Sequence, residues 1–374
     1  MTRFYRPTFA EIDLGAIRYN IRKIRDIVGR DIKILGIVKA DAYGHGMKEI
    51  SKIIIGEGVE YLGVASLDEA RELRRSGIKS KIIVLGPILP EEVEGVLRFN
   101  VIQAVSDLNI AKRLSGIGQA KNRLIKIHAK IDTGMGRIGV WHKDALNFVK
   151  ELAKLKNIKV DGIFTHFPSA ENDSFFTRRQ IKDFKALIEE LCRYNIDIPF
   201  KHTSNSIALV DFKDAHMNMV RPGLVMYGLY PRNSLMKKLK LKPALSLKTK
   251  VVYVKPVSKG RSISYGRTYI AQRDTMIATI PVGYGDGYSR DLSNRASVLV
   301  RGRRVPVVGR VCMDMSMIDV GHLNKVGVGD GVVLIGRQGK EMIRTEELAK
   351  FMNTIPYEVV CNIGRRVPRV YINK

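Results

Sequence analysis

The chain has 374 residues, 45% of them hydrophobic and 27% charged, with 64 lysines and arginines against 37 acids and a net charge of +27. That length suits two domains, or a barrel with an appendage, and no run of about 18 apolar residues is present to span a membrane. Three scattered cysteines, Cys192, Cys312 and Cys361, exclude a disulfide framework or a zinc site, and no metal is expected.

The opening Met1–Pro7 lacks the apolar region of a signal peptide, so the expected location is cytoplasmic. The basic residues are spread along polar faces of amphipathic segments such as Ile21–Arg25, with no zinc-finger or RNA-binding fingerprint. They read as a solvated surface, and nucleic acid is not the expected partner.

Asp13 is placed to cap a helix carrying Leu14, Ile17, Ile21, Ile24 and Ile27 at spacings of three or four, with Gly29 as its stop. A β-branched strand, Ile32–Val38, then runs into Lys39-Ala40-Asp41-Ala42-Tyr43-Gly44-His45-Gly46. Seven further strand-like runs follow at Tyr61–Ala65, Lys81–Gly86, Val101–Val105, Leu124–Ile131, Val160–His166, Pro199–Thr203 and Met219–Leu224. Helical segments separate most of them: Met47–Ile55, Leu67–Ser76, Trp141–Leu155 and Ser174–Tyr194. Eight strands alternating with helices predict an α/β fold, a closed (β/α)8 TIM-type barrel, with an open doubly wound sheet as the alternative. Past a lysine-rich connector, Lys237 to Lys242, the strands crowd together at Leu245–Val254, Met276–Pro281, Ala296–Arg301, Val305–Val311, Met315–Val320 and Gly331–Ile335. One helix, Thr345–Met352, interrupts them. The expected division is a barrel over 8–236 and a smaller, mostly β domain over 243–374, with residues 1–7 packing against the latter.

Lys39 sits where a strand ends and a loop begins, so its ammonium faces a mouth. Desolvated there, it would have a lowered pKa and could form a Schiff base with an aldehyde. A surface lysine at a strand end fits this stretch equally well. Other polar residues fall just past strand ends on the same face: Lys130, Asp132 and Arg137, then His166, His202, Asn205, Ser206 and Arg221. Ser206 and the amides near Gly223 could bind a phosphate, and Tyr43 lies within reach of the same pocket. Salt-bridged barrel ends and simple caps are the plainer readings of each one singly; their convergence with Lys39 favours a site. His45, His128, His142, His216 and His322 have no metal-ligand spacing. Ser264-Tyr265-Gly266 could expose a phenol, although a packed edge aromatic is the commoner case, and Gly283–Gly287 reads as a tight loop.

The lysine motif, with Lys130–Arg137, Thr165-His166-Phe167, Asn205-Ser206, Val220–Gly223, Ser264–Gly266, Gly309–Asp314, Tyr357–Val359 and Arg366–Arg369, resembles the alanine racemase family, in family order over about residues 8 to 372. The resemblance implies pyridoxal 5′-phosphate (PLP) on Lys39, phosphate contacts from Tyr43, Ser206, Gly223, Leu224 and Tyr357, and Arg221 at the pyridine nitrogen backed by His166. It implies interconversion of L- and D-alanine by two bases, Lys39 and Tyr265, supplying D-alanine for bacterial peptidoglycan. Arg137 and the Met313 backbone would hold the substrate carboxylate, with Lys130 (carbamylated in some members), Tyr284 and Asp314 in support. It also implies a homodimer in which the tyrosine enters from the second subunit. A barrel-type PLP decarboxylase, a PLP-carrying regulatory protein and a polyanion-binding protein are the alternatives. The first typically uses a second-domain cysteine as proton donor, a motif that Cys312-Met313-Asp314 does not match and that leaves Tyr265 without a job; the second lacks the β domain, and the third rests on charge alone.

Overall fold

The computed structural model describes residues 5–374. Asp13 accepts a hydrogen bond from the Ala16 N–H and caps the helix Leu14–Val28, which stops where Gly29 turns to φ 79°. Eight parallel strands follow: Lys33–Ile37, Tyr61–Val64, Lys81–Val84, Ile102–Val105, Ile125–Asp132, Ile158–Phe164, Phe200–His202 and Met219–Val220. The first seven pair with one another in chain order, and the eighth pairs with the first through Met219 opposite Lys33. Between the seventh and eighth strands only two backbone bonds bridge the gap, Asn218 N–H to Lys201 O and Arg221 N–H to Ser204 O. The barrel is therefore nearly closed, as the alternation of strands and helices predicts. Its strands are buried on both sides, which is why they read as short apolar runs without alternation.

Phe9–Asp13, expected at the start of the barrel, belongs to the other domain. It pairs antiparallel with Leu245–Lys250 and parallel with Arg369–Ile372. Its alternate residues Ala10 and Ile12 are fully buried, the period-two pattern of a strand with one covered face. Arg6, within the segment expected against the second domain, pairs with Asp286 at 2.5 Å; residues 1–4 lie outside the described residues.

The second domain holds two main sheets. The larger runs Arg303–Pro306, Ser297–Val300, Gly331–Gln338, Leu245–Lys250, Phe9–Asp13 and Arg369–Ile372, and the smaller joins Tyr253–Val257, Thr275–Ile280 and Ser316–Asp319. The single strand expected over Leu245–Val254 is thus two, broken at Val251-Val252, where the chain passes from one sheet to the other. The strand expected at Val305–Val311 ends at Pro306, beyond which only Val307 makes an isolated bridge, to Ile318. The helix expected from Trp141 begins at Ala145, because Val140-Trp141 pairs with the end of the fifth barrel strand. Helices Val93–Arg98, Leu108–Ala120 and Pro356–Cys361 were not anticipated.

One continuous apolar core runs through both domains, and a small separate cluster of Val257, Ile263, Ala271, Ile277 and Val308 underlies the turn bearing Tyr265. No helix among the described residues is long and apolar enough to cross a membrane.

Candidate active site

The carboxyl ends of the barrel strands surround a cavity of about 530 Å³. Lys39, Tyr43, Lys130, Arg137, His166, Asn205, Ser206, Arg221, Gly223 and Tyr357 all line it, so ten residues singled out in the sequence meet in one place. Leu224, also expected there, begins the turn after Gly223 and is wholly buried behind the wall.

Lys39 leads into an unusual backbone. Ala40, Asp41, Ala42 and Tyr43 have φ between 51° and 55°, four consecutive non-glycine residues in the left-handed region. Each such residue costs about 1–2 kcal/mol, so the turn persists only because its surroundings hold it. Asp41 Oδ1 accepts from the Met47 N–H at 2.7 Å, and Arg369 Nε donates to Gly44 O at 3.0 Å. The turn brings the Tyr43 ring against Tyr227 and Tyr357, with centroids 5.0 and 5.8 Å away. Burial pulls the Lys39 ammonium below the ordinary lysine range, and the Arg137 charge adds to this, while Glu69 and Cys361 oppose it. An amine held this way is more readily deprotonated, as imine chemistry requires.

Arg221 follows the eighth strand and is 5% exposed. Its terminal nitrogens donate to the carbonyls of Thr165, His202 and Thr203 and to Nδ1 of both His166 and His202. These acceptors are all neutral. Burial lowers the guanidinium to about 9, which leaves it charged at neutral pH. Because Arg221 donates to His202 Nδ1, the proton of His202 lies on Nε2, which donates to His128 Nδ1 at 2.8 Å. Burial first, with the charge of Arg221 after it, pushes His128 down to about 3 and His166 well below its usual value. His202 is also well below, through burial and then His128. All three are neutral, and Arg221 is a buried cation on a scaffold of imidazoles and carbonyls.

Asp132 shapes the loop after the fifth strand by accepting from the N–H groups of Gly134, Met135 and Gly136 at 2.7–2.8 Å, which brings Arg137 to the mouth. Lys130 Nζ is buried with no hydrogen-bond partner. Desolvation, then Arg221 and Arg137 against the pull of Asp132, lowers it to about 7. On the opposite wall Ser206 Oγ accepts from the Gly223 N–H at 3.1 Å, and a Cβ on Gly223 would lie 2.6 Å from Tyr43 Oη. Glycine there keeps backbone and phenol close, a cradle sized for a small anion.

These residues fit PLP. The cradle of Tyr43, Ser206 and Gly223 suits a phosphate, Lys39 is a desolvated amine, and Arg221 Nε makes no hydrogen bond among the described residues.

Sequence reasoning missed Cys361, an exposed thiol that lines the same cavity. It lies one helical turn beyond Tyr357, a spacing that would have found it had Pro356–Cys361 been read as a helix. Phe164, beneath the Arg221 and Lys130 charges at 5.5 and 4.8 Å, was also overlooked.

Tyr265, Met313 and Asp314 are elsewhere. They line a second cavity of about 570 Å³ in the β domain, with Tyr253, Lys255 and Cys312. Tyr265 is 71% exposed and Met313 53%. Ser264, at φ 66°, anchors the tyrosine turn by donating from Oγ to Arg310 O at 2.6 Å. Tyr284 and Gly285 donate their N–H groups to the carbonyls of Cys312 and Met313, and Arg366 ties Asp314 at 2.6 Å and Asp286 at 2.8 Å. Tyr284 itself is exposed and lines neither cavity.

Two family models match, described as "Alanine racemase, N-terminal domain" over residues 12–231 and "Alanine racemase, C-terminal domain" over 244–371. The chain is 48% identical to the alanine racemase of Halothermothrix orenii, covering 100% of this chain and 98% of that one. Its fold superposes on the crystal structure of alanine racemase from Bacillus anthracis with bound L-Ala-P at a TM-score of 0.93 and 39% identity, over 100% and 97% of the two chains. A histidine racemase from Leuconostoc mesenteroides matches at 0.89 and 30% identity, over 99% of each chain.

Proposed function

Since the chain belongs to the alanine racemase family, a PLP-dependent isomerase that interconverts L- and D-alanine, we propose how its own residues divide that reaction. Bound at the barrel mouth, PLP supplies the electron sink that makes the α-hydrogen of an amino acid acidic. Lys39 would hold the cofactor, Tyr43, Ser206, Gly223, Tyr357 and the backbone N–H of Leu224 would receive its phosphate, and Arg221 would face its ring nitrogen with His166 behind. A guanidinium that keeps its proton leaves that nitrogen unprotonated, which limits side reactions.

Lys39 Nζ takes the α-proton of D-alanine and Tyr265 Oη that of L-alanine, each returning a proton on its own face. Arg137 and the Met313 N–H hold the carboxylate. Lys130, lowered to about 7 mainly by burial, adds carbon dioxide at its neutral amine and releases a proton to solvent, giving a carbamate anion beside Arg137, and Tyr284 and Asp314 shape the approach.

The observation that carries this reading is the separation of the two bases. Lys39 lines the barrel cavity while Tyr265 stands exposed on another domain, in a different cavity. Two copies of the chain, each lending Tyr265 and Met313 to the other's barrel, would complete two sites. The exposed apolar side chains of Tyr253, Met313 and Met315, which line the same cavity as Tyr265, support such a contact. A cytoplasmic location suits the substrate.

Mixing Lys39→Ala with Tyr265→Ala protein tests the division. Composite sites predict recovery of up to about a quarter of wild-type activity, from mixed dimers carrying one intact site. No recovery in dimers that demonstrably exchange would place both bases on one chain. Polarimetry with L-alanine, D-alanine and serine, with the visible absorption band of the cofactor followed in parallel, measures substrate choice.

A further inference from the structure

The ladder between the first two barrel strands runs out where the Val38 N–H donates to Gly63 O. Past it, the amides of Ala40 and Ala65 have no strand partner. One carboxylate takes both: Glu69 Oε1 accepts from Ala40 N–H at 2.7 Å and Oε2 from Ala65 N–H at 2.6 Å. Glu69 stands in the first turn of Leu67–Arg75, three residues after its cap, Ser66. A glutamate at that spacing ordinarily returns to the amide of the capping residue. Here it reaches across to the neighbouring strand end and binds the first amide of the left-handed turn, immediately after Lys39.

We propose that Glu69 is a positioning residue for the cofactor lysine, clamping the entry of the left-handed turn so that Lys39 and Tyr43 face the cavity; this rests on Lys39 carrying PLP. Asp41 and Arg369 hold the far end of the same turn, and among the side chains of the described residues Glu69 is the one that binds its backbone next to Lys39, where the Ala42 N–H also donates to Val38 O. Its charge also faces the lysine. The other groups acting on Lys39 are Arg137, from the loop after the fifth strand, and Cys361, from the helix Pro356–Cys361, and the cavity adds Tyr43, Lys130, His166, Arg221 and Tyr357. Among the groups acting on Lys39, Glu69 is the carboxylate, so removing it lowers the pH at which the lysine gives up its proton.

The test compares holoenzymes carrying Glu69→Gln, Glu69→Asp and Ser66→Ala. Glu69→Gln is expected to keep PLP, to lose about tenfold in kcat in both directions with KM for alanine within about twofold, and to shift the titration of the cofactor's visible band to lower pH. Glu69→Asp keeps the charge but is too short to span both amides, so kcat falls while the titration stays. Ser66→Ala lowers the melting temperature and leaves both unchanged. Wild-type kcat and titration in Glu69→Gln, with unchanged hydrogen exchange at residues 38–44, would reduce Glu69 to a helix-end residue. If Glu69→Gln does not fold, wild-type kcat in Glu69→Asp overturns the clamp just as directly. A wild-type protein with no cofactor band would instead overturn the PLP assignment of Lys39, and the inference with it.

Discussion

The two cavities are nearly the same size, about 530 and 570 Å³, yet they are held together differently. In the barrel, the cation of Arg221 is buried and met by five acceptors, and the turn bearing Tyr43 is pinned at both ends. In the β domain, the backbone of the Tyr265 turn is anchored but its ring stands in solvent. The first arrangement is finished by one chain, and preorganisation of that kind suits a group that must hold a cofactor in place. The second leaves its tyrosine uncovered within one chain.

The largest effect expected from this contrast is on the barrel side. Lys39→Ala should abolish the visible band and lower racemisation by at least about 10⁴-fold, because the attachment and one of the two bases go together. Tyr265→Phe should keep the band and the fold while losing about 10³-fold in racemisation in both directions, with exchange of the α-proton against solvent falling more for L-alanine than for D-alanine. Equal and near-normal rates from both isomers would remove Tyr265 from the chemistry and leave its exposure unexplained.

Acid should also separate the two regions. His45 is lowered to about 4 and His128 to about 3, mainly by burial, and both are barrel residues. Each binds a proton in the unfolded chain below about pH 6.5 but not in the folded one, so stability falls as pH drops from 6.5 toward 4. His45 alone accounts for about 3 kcal/mol at pH 4. Trp141, the single tryptophan, lies at the barrel and reports this by fluorescence. A melting temperature that is flat over that range would contradict neutral buried histidines.

The smallest effect belongs to Lys130. Lys130→Ala should raise KM for alanine about three- to tenfold through a misplaced Arg137. Bicarbonate should stimulate wild-type protein above pH 7, where the amine is neutral, and not below it.

Much of the barrel cavity was legible because its residues follow strand ends, and strand ends are visible as apolar runs broken by polar residues. Lys39, His166 and Arg221 could be placed together for that reason alone. Tyr265 could not. Its turn is flanked by two-residue strands, Ser262–Ile263 and Tyr269–Ile270, too short to leave a pattern, and only the family motif singled it out. Glu69 was hidden for a different reason. Three residues after a serine it reads as a helix cap, and local sequence cannot show that the nearest unpaired amide lies on the neighbouring strand. Phe9–Asp13 was misassigned because a strand's partners, here more than 200 residues away, leave no trace near it.

That strand has a consequence for how the molecule comes into being. Phe9–Asp13 has no edge to join until Leu245–Lys250 and Arg369–Ile372, both distant in the chain, are in place. The same final residues reach the cofactor loop: Arg369 binds Gly44 O, and Tyr371 Oη packs so close to Gly46 that a Cβ there would lie 1.8 Å from it. The lysine loop is therefore not fully clasped until the second domain has closed on it. Were Arg369–Ile372 displaced, the strand ends lining the barrel cavity would remain and this clasp on the lysine turn would be lost, so the second domain steadies a loop of the first.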